Sequence, residues 1–106
     1  MERGVNRGDI WVAQVGRKHR PVLVLTRDEV IDVRTLITVA EITTSQRGIA
    51  VEVPIGSDEV DLDPESVVNC DGIHTIRQTM LTRRIGSVAP EVMTRICAAV
   101  SHAIGC

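Results

Sequence analysis

The segment His19-Arg20-Pro21-Val22-Leu23-Val24-Leu25 constrains the fold of this chain more than any other. Pro21 fixes its own φ and biases Arg20 towards extended backbone. The apolar run behind it, Val22 to Leu25, has no polar face to turn to water. It therefore predicts a strand over Pro21 to Thr26, buried on both faces or at a barrel centre. A cationic side chain is left at the mouth of that rigid element, and rigid placement is what a catalytic or phosphate-gripping guanidinium requires.

The rest of the pattern is strand-rich until the C-terminus. Ile10 to Val15 reads as a strand, and Gly16 to His19 as a short loop. Arg27 to Ile31 is polar, with room for one helical turn. Thr35 to Ile42, dense in β-branched residues, predicts a long strand. Thr43 to Gly48 is a polar loop. Ala50 to Ile55 alternates, and Pro54 places its end at a sheet edge. Gly56 to Pro64 is acidic loop. Ser66 to Cys70 predicts a strand that continues over Gly72 to Ile76 after a kink, and Arg83 to Val88 a last short one. The period then changes: Val92, Ile96, Ala99, Val100 and Ala103 recur at helical spacing, behind Pro90 as a first helical residue. Ala89 is a poor N-cap, so packing must hold this helix. Short strands and one terminal helix suggest a small, partly open barrel with a helix against it.

Composition removes several function classes. A chain of 106 residues is expected to form a single domain over residues 1–106. Its net charge of -2 argues against holding nucleic acid by bulk electrostatics. Charge is nonetheless polarised, with Arg17, Lys18, His19 and Arg20 facing an acidic stretch at Asp58, Glu59, Asp61, Asp63 and Glu65. There is no Phe or Tyr and a single Trp, which excludes a sheet paved with base-stacking rings. Cys70, Cys97 and Cys106 form no CxxC pair and read as reduced thiols, with no metal site. No apolar run is long enough for a membrane span, and the first residues lack a signal core, so a cytoplasmic location is expected.

Taken in order, Arg7-Gly8-Asp9-Ile10-Trp11, Arg20-Pro21-Val22-Leu23-Val24-Leu25, Ile42-Thr43-Thr44-Ser45-Gln46-Arg47-Gly48, Glu52-Val53-Pro54, Ser66 to Thr75 and Arg84-Ile85-Gly86-Ser87-Val88 resemble the MazF/PemK family of toxins. The resemblance covers roughly residues 7 to 104. It implies a mainly β fold, an SH3-like, partly open barrel of the PemK/MazF type with a C-terminal α-helix, usually a homodimer. It implies the toxin of a type II toxin–antitoxin system, a metal-independent, sequence-specific endoribonuclease for single-stranded RNA (mRNA, rRNA or tRNA) that needs no cofactor. The implied partner is a cognate antitoxin whose flexible tail covers the RNA site. Arg20 and Thr43 match the family's catalytic positions. Two departures stand out. The loop from Gly16 to His19 is short where many relatives have a flap. Asp71-Gly72 stands where the family often has a carboxylate followed by glutamine.

The chemistry fits those residue types. RNA carries its own nucleophile, and attack of the 2′-hydroxyl gives a 2′,3′-cyclic phosphate and a 5′-hydroxyl end. The protein must orient the sugar-phosphate, relieve phosphorane charge and move two protons. Arg20 suits the charge, and Thr43 can donate to a phosphate oxygen or orient the 2′-hydroxyl. Each also has a plainer reading, a structural ion pair for Arg20 and a turn-closing hydroxyl for Thr43. The candidate RNA contacts are Trp11, His19, Gln46, Arg47, Asp71, His74 and Arg84. Trp11 is open to stacking, core or dimer roles. His19 follows a strand alternation that turns it away from Arg20. Asp71 could accept from a base edge or restrain Arg20. Arg83 and Arg84 could line a phosphate track, and Asp9 reads as a turn residue. The general base is not identified. A second function class stays open, a barrel toxin that inhibits a protein such as DNA gyrase without cutting RNA.

Overall fold

A computed structural model of the chain describes residues 4–49, 51–55 and 61–105. The expected strand start at Ala50, the acidic residues Asp58 and Glu59, and Cys106 lie outside the described residues. Strands β1 (Asp9–Val15), β2 (Lys18–Val24), β3 (Leu36–Thr43), β4 (Glu52–Pro54), β5 (Val67–Arg77) and β6 (Leu81–Ser87) are joined by a short helix α1 (Asp28–Ile31), and helix α2 (Pro90–Ala103) closes the chain. The six strands form one antiparallel sheet in the order β4-β5-β3-β2-β1-β6, so β4 and β6 are its edges.

Both faces of the sheet are apolar at its centre. On one face Trp11, Ala13, Val22, Val24, Ile37, Val39 and Leu81 pack with Val5 and Ile31. On the other, Ile10, Leu23, Ala40, Ile42, Val53, Val68 and Cys70 pack with Ile96 and Ala99 of α2. Val22, Leu23 and Val24 are thus buried from both sides, as their unbroken apolar run predicts. Each such side chain contributes about 1.5–3 kcal/mol by leaving water. Helix α2 lies on β5 and β4. Ala89 offers it no side-chain cap, and Pro90 occupies its first turn, so its docked face holds it in place.

Two boundaries differ from expectation in ways that shape the site. The first loop is a two-residue turn, because Val15 already pairs with Lys18. Gly16 supplies the positive φ of +63° that such a tight turn needs. His19 and Arg20 therefore belong to β2, and Pro21 sits in mid-strand. The reason lies in the hydrogen-bond alternation. Leu25 N donates to Thr38 O of β3, so Pro21, an even number of residues away, also turns its nitrogen towards β3. The β2–β3 ladder stops at Val22–Glu41. The missing N–H thus faces β3 beyond the last paired rung, where no ladder bond is lost. The second difference is that β5 is continuous, its kink being a bulge: Ala40 pairs with Ile73 but Glu41 pairs with Asn69. Cys70, Asp71 and Gly72 are the extra residues, and a bulge of this kind re-aims neighbouring side chains.

Candidate active site

The end of the β2–β3 ladder opens a cleft of about 280 Å3, lined by Arg20, Pro21, Glu41, Ile42, Thr43, Ser45, Arg47, Glu52 and Asn69. Its layout follows from register. Continued two residues past Val22–Glu41, the β2–β3 pairing sets Arg20 across from Thr43. Thr43 in turn faces Val67 of β5, and Val67 faces Pro54 of β4. One rung away, Glu41 faces Asn69, which also pairs with Glu52. Alternation puts Arg20 on the face of Val22 and Val24, and Thr43 with Glu41 on the face of Val39. The two side chains expected to converge do share one cleft and one face.

Their bonding states differ. Among the described residues no carboxylate lies within ion-pair distance of Arg20, and the side chain is exposed. The guanidinium is therefore available to an incoming anion. Thr43 Oγ1 accepts the Ser45 N–H at 3.0 Å, so the turn-closing hydroxyl expected of this residue is present. That bond uses a lone pair and leaves the hydroxyl hydrogen to donate into the cleft. The floor of the loop is pinned by Glu52, whose carboxylate is only 5% exposed. It accepts from the backbone N–H of Arg47 (2.8 Å), Gly48 (2.9 Å) and Ile49 (3.4 Å) and lies 3.7 Å from Arg47 Nε. The Arg47 N–H above all holds the Glu52 carboxyl below the ordinary carboxylate range.

Residues 6–104 match the family of PemK-like, MazF-like toxins of type II toxin-antitoxin systems. The chain belongs to this family. Among curated proteins it is similar to endoribonuclease MazF3 of Mycobacterium tuberculosis, 43% identical over 95 residues that cover 89% of each chain. It is also similar to probable endoribonuclease MazF2 of Mycobacterium tuberculosis, 35% identical over 96% of this chain and all of that one. Among solved structures, an endoribonuclease in complex with its cognate antitoxin from a mycobacterial species superposes with a TM-score of 0.87, at 25% identity and 96% coverage of both chains. The mainly β fold with a C-terminal helix that the resemblance implies is thus the fold observed.

The remaining family-suggested positions divide. Arg47 lines the cleft, and Gln46 stands on the same loop with its Nε2 donating to Glu65 O. His74 reaches Glu41 Oε1 at 3.2 Å and so borders the cleft through that carboxylate. Asp71 is exposed on the bulge, outside the cleft lining, and does not pair with Arg20. His19 projects from the opposite face of β2. Trp11 is 6% exposed and packs in the core, its indole N–H directed at Asp9 Oδ2 at 3.3 Å, so its ring is not presented to a base. Arg84 lies on edge strand β6, away from the cleft, at 3.4 Å from Asp9. Asp9 is 2% exposed and also accepts the Asn6 N–H at 2.9 Å, which makes it a turn-fixing residue. Residue type alone suggested Trp11 and Arg84 as RNA contacts; the sheet spends both on structure.

Glu41, Asn69 and Ser45 line the cleft without having been singled out by sequence. For Glu41 a signal existed: it stands two residues before Thr43, on the same face, as the one charge in a β-branched strand. The described residues contain no group of three His, Cys, Asp or Glu side chains placed to share a metal ion. No helix of the described residues is long and apolar enough to cross a membrane. Cys70 is buried, and that burial, with Cys97 nearby, pushes its thiol up to about 11, which leaves it inert.

Proposed function

We propose that the cleft between β2 and β3 is the active centre of an endoribonuclease toxin that cuts single-stranded RNA. The observation that carries this is the cleft at the open end of the β2–β3 ladder that holds both Arg20, with no carboxylate in ion-pair distance among the described residues, and Thr43. Family membership and relatives named as endoribonucleases support it. The RNA 2′-hydroxyl attacks the adjacent phosphorus, and the bond to the 5′-oxygen breaks. Arg20 binds two phosphate oxygens through its planar fork and stabilises the charge that builds on them. Thr43 donates to a non-bridging oxygen or orients the 2′-hydroxyl, which sets the phosphate for in-line displacement. Arg47 and Gln46 on the neighbouring loop hold flanking nucleotides, and the chain acts as a homodimer restrained by a cognate antitoxin. The alternative of a gyrase-binding barrel has no support among these relatives.

The test is direct. Purified protein incubated with long RNA in EDTA is expected to yield discrete fragments with 5′-hydroxyl and 2′,3′-cyclic phosphate ends, and Arg20→Ala to lose that activity. Uncut RNA with wild-type protein, or equal cutting by Arg20→Ala, overturns the reading.

A further inference from the structure

We infer that Glu41 is the proton acceptor for the 2′-hydroxyl and that His74 positions it. This rests on the cleft being the ribonuclease centre proposed above. In-line attack needs a base near Arg20 and Thr43, and a guanidinium and an alcohol are both poor ones. Two carboxylates line the cleft, Glu41 and Glu52. Glu52 is committed to the Arg47, Gly48 and Ile49 amides and to the Arg47 guanidinium, which stabilise its charged form and make it a weak acceptor. Glu41 carries none of those bonds. Its side chain is 41% exposed, and it stands one rung from Thr43 on the same face. Through the β2–β3 register it is also the diagonal neighbour of Arg20.

The β5 bulge shapes the surroundings of its carboxylate. The β5 bulge inserts three residues opposite the Ala40–Glu41 step. A Cβ at residue 72 would overlap Glu41 Oε2 and lie 3.0 Å from Asn69 Nδ2. Glycine at 72, where the family resemblance leads one to expect glutamine, thus leaves the end of the Glu41 side chain in this position, from which a larger residue would displace it. The other oxygen, Oε1, meets His74 Nε2 at 3.2 Å. One oxygen thus lies against the His74 imidazole while the carboxylate stays open to the cleft. The proton balance closes: Glu41 takes the 2′-hydroxyl proton, O2′ bonds to phosphorus, and the 5′-oxygen leaves with a proton from water. Glu41 then returns its proton to solvent, and Arg20 stays charged throughout.

A short RNA with one mapped cut site tests this, together with the same oligonucleotide carrying a 2′-deoxy sugar at that site, which binds but has no nucleophile. Single-turnover rates at saturating RNA are measured against pH, and Kd is measured on the deoxy form. Glu41→Gln is isosteric at a half-exposed position, and its fold is checked by thermal melting. It is expected to cut ~100-fold or more slowly, with Kd within about threefold of wild type and without the wild-type rise in rate on the acid side. The charged groups facing Glu41 across that range are Arg20 on β2, Arg47 on the β3–β4 loop, Glu52 on β4 and His74 on β5. His74→Ala is expected to lose less, and His74→Gln, which keeps a donor, to recover most of that loss. A Glu41→Gln rate within about threefold of wild type, or a loss confined to Kd, overturns the assignment while RNA cutting by wild type stands. A wild-type protein that cuts no RNA overturns the underlying reading instead.

Discussion

Two arginines on one sheet are put to opposite uses. Arg84, on β6, lies 3.4 Å from a carboxylate that is almost wholly buried. Arg20, on β2, projects from the end of a ladder with no carboxylate in reach among the described residues. At Arg84 the strands remain paired, since Trp11 sits across from it on β1, and the guanidinium ties down a turn. At Arg20, still paired to Ala13 of β1, the β2–β3 pairing has ended, so the same side chain faces an open cleft. The difference teaches that where a ladder stops decides whether an arginine is left open to a cleft or tied to a buried carboxylate.

The comparison can be broken at its strong end first. Arg20→Ala is expected to slow RNA cleavage ~100-fold or more with an unchanged melting temperature, both read on purified protein. A large drop in Tm would mean that Arg20 is a structural tie after all. Asp9→Ala is expected to do the reverse. It strips an acceptor from the Asn6 N–H, the Trp11 indole and Arg84, at a cost of roughly 2–3 kcal/mol. Tm should then fall by roughly 10 °C or more, with cleavage per folded molecule retained. Arg84→Ala leaves two of those contacts in place, so a loss of about 1 kcal/mol or less in urea unfolding is the expectation for this half-exposed pair.

The smallest effect concerns the loop beside the cleft. Glu52 is held below its unperturbed 4.5, so its folded-state value lies under its unfolded one. Its stabilising bonds to the loop are therefore complete above the ordinary carboxylate range and lost as pH falls through the lower, folded value. The Arg47 and Gly48 amide resonances should move together in an acid titration with a midpoint below 4.5. In Glu52→Gln that titration should be absent.

How much was legible varies by residue. The unbroken run Val22 to Leu25 announced a doubly covered central strand, and the helical spacing of Ile96 and Ala99 announced the face of α2 that docks. Arg20 and Thr43 were legible through the family pattern, not through residue type. Trp11 and Arg84 stand out by residue type, yet an indole and a guanidinium advertise binding equally well whether or not another residue has claimed them. Glu41, the one charge of its strand, was passed over because Gly72 and His74 beside it are distant in sequence and the β5 bulge that brings them there leaves no local mark.

The amino-acid sequence by itself determined the strand and helix content, the buried strand behind Pro21 and the helix's apolar face, because periodicity and backbone restriction are local properties. The tertiary structure decided which arginine is free, which carboxylate is spent and which stays open. Those outcomes depend on register, on where the β2–β3 ladder ends and on three bulged residues in β5, and such long-range pairings are set by packing between segments far apart in the chain.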